Sequence, residues 1–117
     1  MRLLINRFDG PGAFDSLPQE RRRTVMQNAR FFKAVTASSD PFPNLPREKV
    51  MRLSMPVLLI RGANTKELDI LVSEELARTI PKAEKVIIPQ AGHGSPRQNP
   101  TAFNAAVLAF LEKARRK

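Results

Sequence analysis

Val86-Ile87-Ile88-Pro89-Gln90-Ala91-Gly92-His93-Gly94-Ser95-Pro96 is the stretch whose reading decides the fold. Three β-branched apolar residues are stopped by a proline, which is the pattern of a short buried strand feeding a tight loop. The loop holds the one histidine of the chain. Two readings are open for it. It is a surface histidine in a turn, or it is a proton carrier, since an imidazole can take or release a proton near neutral pH. A glycine on each side lets the backbone turn sharply and leaves the ring uncrowded. If the strand runs parallel to a neighbour, the loop past its carboxyl end sits where open α/β sheets place their chemistry.

Upstream, Pro56-Val57-Leu58-Leu59-Ile60-Arg61-Gly62 is a second apolar run bounded by Pro and Gly. It reads as a strand covered on both faces. Gly62-Ala63-Asn64-Thr65 is its carboxyl-end loop. A helix is expected from about Lys66 to Ile80, with Leu68, Val72, Leu76 and Ile80 on one face, Leu71 beside them, and Pro81 ending it. Lys85 to Ile88 is then the second strand. Strand, helix, strand at this spacing is a βαβ unit with a right-handed crossover and parallel strands. Both following loops, Gly62–Thr65 and Gln90–Asn99, open on the same sheet edge. The last helix starts at Asn99-Pro100, where Asn caps and Pro takes the first helical position. Phe103, Val107, Phe110, Leu111 and Ala114 form its apolar stripe.

The N-terminal part reads differently. Arg2 to Phe8 is either a short strand or a helix end, and Asp9-Gly10-Pro11-Gly12 is a turn. Ser16 can cap a helix, with Gln19 bonding back. That helix is expected to run to about Ala37, with Val25, Ala29 and Phe32 as its stripe and Asn28 beside it. Three prolines between Asp40 and Leu45-Pro46 make a linker. One helical turn is expected within residues 46–52. The domain organisation is therefore 1–45, a helical segment and Pro-rich linker, followed by 46–117, the α/β piece.

Composition narrows the function classes. The chain has 117 residues, 42% of them hydrophobic, and no cysteine. Disulfides, thiolate catalysis and cysteine-ligated metals are excluded, and a cytoplasmic setting is expected. No motif calls for a cofactor or a metal. No apolar run is long enough to cross a bilayer, and Met1-Arg2-Leu3-Leu4-Ile5 is too short for a signal peptide. The formal net charge is +9. Nucleic acid ranks last as a partner, because the charge is spread along the chain and there is no Tyr or Trp to stack on bases.

Several stretches in order resemble a known family. They are Pro56 to Gly62, then Glu74-Glu75-Leu76-Ala77 with Ile80-Pro81, then Val86-Ile87-Ile88-Pro89 with Gly92-His93-Gly94. Asn99-Pro100, Phe103-Asn104 and Phe110-Leu111 follow. Over residues 56–112 the chain resembles the C-terminal part of an α/β-hydrolase. Residues 8–50 resemble the end of the helical cap and its return to the core. The implied fold class is α/β: a partial α/β-hydrolase fold with two parallel strands and a C-terminal helix, preceded by a cap-like helix.

The resemblance implies roles. His93 stands where the family carries the general base of its Ser-His-Asp/Glu triad. Asp69 is the candidate acid within this chain. It and Glu67 fall in a helix first turn, where the dipole favours a carboxylate for structural reasons alone. The loop where many members carry the acid has Asn64, which holds no negative charge. Some members place the acid after an earlier strand that is absent here. The nucleophile elbow G-x-S-x-G is also absent, and so is the oxyanion-hole segment. Gly92-His93-Gly94-Ser95-Pro96 does not match the elbow, because its serine lies just past the histidine and is followed by proline, and Ser16, Ser38, Ser39, Ser54 and Ser73 lack strand–turn–helix context. The expectation is a C-terminal fragment of an ester- or lactone-type hydrolase, inactive alone, meeting a small ester-like substrate only in an intact parent. The alternative is a non-catalytic interaction module, assembling through exposed strand edges with an N-terminal half or a second copy.

Overall fold

A computed structural model describes residues 1–41 and 44–116, so Phe42 and Pro43 of the expected linker lie outside the described residues. The chain divides into two compact units, Met1–Asn44 and Leu45–Lys117.

The first unit is helical. Arg2–Asp9 is a helix, α1, which settles the strand-or-helix choice. It ends at Gly10, whose φ of 105° suits a residue without a side chain. Ser16 does not cap: its Oγ donates to the Ala13 carbonyl at 2.9 Å, within the turn. α2 (Gln19–Gln27) starts instead after Pro18, without a side-chain cap. The single helix expected to Ala37 is broken. Asn28, at φ −86° and ψ 3°, separates α2 from α3 (Ala29–Ala37). Its Nδ2 donates to the Thr24 carbonyl at 2.9 Å. Asparagine side chains offer the backbone this local alternative to continued helix. Phe14, 6% exposed, is the buried apolar residue among the described residues of the unit. The guanidinia of Arg2 and Arg22 stand over its ring, 5.4 and 5.9 Å from the centroid.

The second unit carries the sheet. A short helix, α4 (Arg47–Met51), precedes β1 (Val57–Gly62), α5 (Glu67–Thr79) and β2 (Ala83–Ile88). The strands pair in parallel, with Val57 opposite Ala83 and Gly62 opposite Ile88. β2 begins two residues earlier than the apolar pattern marks, because Ala83 and Glu84 also pair with β1. α6 (Ser95–Gln98), a helix of one turn, occupies part of what reads as loop. α7 (Pro100–Arg115) follows, and Asn99 Oδ1 accepts from the Ala102 N–H at 3.2 Å as its cap.

Ion pairs show how the helices cover the sheet. Glu74 of α5 meets Lys85 of β2 at 2.7 Å, and Lys113 of α7 meets Glu84 at 2.7 Å. Neighbouring strand residues point to opposite faces. α5 and α7 therefore lie on opposite sides of the two strands.

Burial is thinner than the apolar runs imply. β1 is half-buried from Val57 to Arg61 rather than covered on both faces. On α5, Leu76 is half-buried and Ile80 just beyond is 6% exposed, but Leu68, Leu71 and Val72 are 70%, 58% and 51% exposed. Leu111 of α7 is also exposed. Two strands stand about 5 Å apart, whereas a helix is about 10 Å across. A two-stranded ribbon is too narrow to cover the whole apolar face of either helix. Ile88 and Ala91, each 1% exposed, form the tightest part of the core. Among the described residues no helix is long and apolar enough to cross a membrane.

Candidate active site

The site lies where both strands end. β1 terminates at Gly62, and its main chain continues to bond toward the second loop. Ala63 N donates to the Ile88 carbonyl at 2.9 Å, and Asn64 N to the Ala91 carbonyl at 2.8 Å. The two loops thus share one sheet edge. Gly62 is packed so closely that a Cβ there would stand 2.1 Å from the Ala91 oxygen and 2.4 Å from the Gly92 oxygen. Only glycine leaves room for this approach.

After β2 the backbone turns through Gln90, which has a φ of 54°. Asn and Gln side chains then hold the loop. Asn99 Nδ2 donates to the Pro89 carbonyl at 3.0 Å, and Gly92 N donates to Gln98 Oε1 at 2.6 Å. His93 comes next, its side chain 53% exposed.

Asp69 reaches His93 from α5. Its Oδ2 is 3.7 Å from His93 Nδ1, within ion-pair range and longer than a hydrogen bond. The same Oδ2 accepts from Thr65 Oγ1 at 3.3 Å. So the structure brings together the two site residues singled out from the sequence, and adds Thr65. Thr65 could have been suspected from its spacing four residues before Asp69, at a helix start. A concavity of about 300 Å³ runs beside them, lined in part by Arg61, Ser73, Leu76 and Ser95. Ser95 is buried at the start of α6, and Ser73 is within α5. Neither directly follows a strand, as the nucleophile of an elbow does.

Charge beside this concavity is arranged on Glu74. Lys85 Nζ donates to both its carboxylate oxygens at 2.8 and 2.7 Å, and Arg61 Nη2 is 3.6 Å away. The Lys85 hydrogen bonds, foremost, and the Arg61 guanidinium hold the Glu74 carboxyl below its ordinary range. Among the described residues no three potential metal-binding side chains converge on one point.

Parallel strands from a βαβ unit, helices on both faces and a histidine loop at the strand ends define a C-terminal portion of the α/β-hydrolase fold. The chain is similar to members of that class, and comparison with individual proteins gives the extent. It is 39% identical over 64 residues to the protein named "Putative carbamate hydrolase RutD" of Caulobacter sp. (strain K31), covering 55% of this chain. The match spans 24% of that relative, about a quarter of its length. The structure is similar to that of a serine hydrolase involved in carbazole degradation, the CarC enzyme, with a TM-score of 0.56. That match covers 80% of this chain and 35% of the other at 20% identity, which speaks to the fold alone. No family model matches the chain.

Proposed function

We infer that this chain supplies the proton-handling part of an α/β-hydrolase site, with His93 as general base and Asp69 as the acid behind it. The observation that carries this reading is the 3.7 Å approach of Asp69 Oδ2 to His93 Nδ1 at the carboxyl ends of two parallel strands. A carboxylate beside Nδ1 favours the tautomer with its proton there, which makes Nε2 the proton-accepting nitrogen. Asp69 also stabilises the imidazolium that forms when Nε2 takes a proton.

In a complete site the chemistry is acyl transfer. Nε2 removes the proton of a serine hydroxyl as its oxygen bonds the substrate carbonyl carbon, and the carbonyl electron pair moves to oxygen. The bond to the leaving group then breaks, and that group takes the proton from His93. Water repeats the sequence on the acyl-enzyme. The nucleophile comes from outside this sequence, on a segment with a strand, G-x-S-x-G and a helix. The substrate is a small ester or lactone, and the carbamate in the relative's name calls for the same acyl chemistry. The 39% identical match to a relative named as a hydrolase favours this reading over a non-catalytic interaction module.

Removing the nucleophile from such a triad costs about a million-fold in turnover. The purified chain is therefore expected to hydrolyse p-nitrophenyl acetate no faster than a His93→Ala control. Turnover lost in His93→Ala and also in Ser95→Ala would show a nucleophile inside the chain. Turnover that survives His93→Ala would remove His93 from the reaction.

A further inference from the structure

We propose that Gln98 is a positioning residue for His93: its side-chain oxygen holds the backbone that presents the imidazole to Asp69. This rests on the Asp69–His93 reading above and adds the part of the chain that maintains it.

Three contacts anchor the loop between β2 and His93. Asn64 N holds the Ala91 carbonyl, Asn99 Nδ2 holds the Pro89 carbonyl, and Gln98 Oε1 takes the Gly92 N–H. The Gln98 contact is the shortest, at 2.6 Å, and acts on the residue directly before His93. A small rotation about the Gly92 backbone swings the ring, because glycine offers no side-chain packing to resist it. The separation from Nδ1 to Asp69 is already 3.7 Å. Electrostatic and hydrogen-bonding attraction falls off with further displacement. A tether on Gly92 therefore decides whether the carboxylate acts on Nδ1 at all. The duty falls to Gln98 rather than Asn99, because Asn99 also caps α7 through Oδ1.

The single imidazole makes the test direct. Two-bond proton–nitrogen spectra of 15N-labelled chain, taken where the ring is neutral, report which nitrogen carries the proton. The wild-type chain is expected to hold the Nδ1–H form as the majority. Gln98→Met keeps length but lacks the acceptor, and is expected to make that form the minority while helix content by circular dichroism stays unchanged. Gln98→Glu keeps an acceptor for the Gly92 N–H and is expected to restore the majority. If the methionine variant fails to fold, Gln98→Lys removes the acceptor in its place. A wild-type spectrum in a folded acceptor-less variant overturns the proposal, as does loss in Gln98→Glu equal to that in Gln98→Met. Asp69→Ala tests the underlying reading separately. If it leaves the spectrum unchanged, Asp69 does not act on His93, whatever the Gln98 variants do.

Discussion

The side chain that Gly62 lacks would meet the Ala91 carbonyl oxygen at 2.1 Å, so the end of β1 and the loop after β2 touch main chain to main chain. Gly62→Ala must push that loop away and strain the Asn64–Ala91 hydrogen bond. Overpacking costs about 1–3 kcal/mol, and a lost hydrogen bond about 1 kcal/mol more. Urea unfolding is expected to show a loss of about 3 kcal/mol. Gly92→Ala, whose Cβ would find its nearest atom at 3.4 Å, is expected to lose less than about 1 kcal/mol, in line with changes that need no repacking.

Asn99 works in two directions at once. Its Oδ1 caps α7 and its Nδ2 holds the Pro89 carbonyl. Asn99→Ala is expected to cost about 2 kcal/mol, the upper end for a lost cap, read as a lower urea midpoint. Asn99→Asp keeps the cap acceptor and loses the Nδ2 donor, so it should fall between the two.

Apolar residues of similar size in this unit should respond very differently. Ile88 is 1% exposed, while Leu68 is 70% exposed. Ile88→Ala is expected to cost about 2–5 kcal/mol through lost burial and the cavity left behind. Leu68→Gln should stay within about 0.5 kcal/mol. Thermal melts of the two variants beside the wild type check both. A large loss from Leu68→Gln would mean that α5 is covered by something in solution.

Glu74 links pH to stability. Its carboxyl is depressed below its ordinary value of 4.5, chiefly by the Lys85 hydrogen bonds. A carboxyl depressed on folding stabilises the folded state above its unfolded pKa. That contribution is lost as pH falls through the folded value. Lys85→Met should therefore flatten the part of the stability-versus-pH curve lying below 4.5 that belongs to Glu74. In a carbon-detected NMR titration, Glu74 of the variant should take up its proton at higher pH than in the wild type.

Local pattern determined much of this protein. The two apolar runs became strands, Pro81 follows the end of α5, and Asn99-Pro100 opens α7. These features follow from backbone chemistry within a few residues, which a sequence displays directly. His93 was identifiable because it is the one histidine, and its loop follows a strand.

Only the tertiary structure decided the rest. The break at Asn28 depends on which competing hydrogen bond its side chain makes. The exposure of Leu68, Leu71 and Val72 depends on the width of the sheet beneath α5. Asp69 and Thr65 become neighbours of the histidine loop only because the parallel pairing brings both strand ends to one edge. Spacing along a chain sets how each segment folds. Distances between segments come from how their backbones pair and pack, and here they set the 3.7 Å separation of His93 and Asp69.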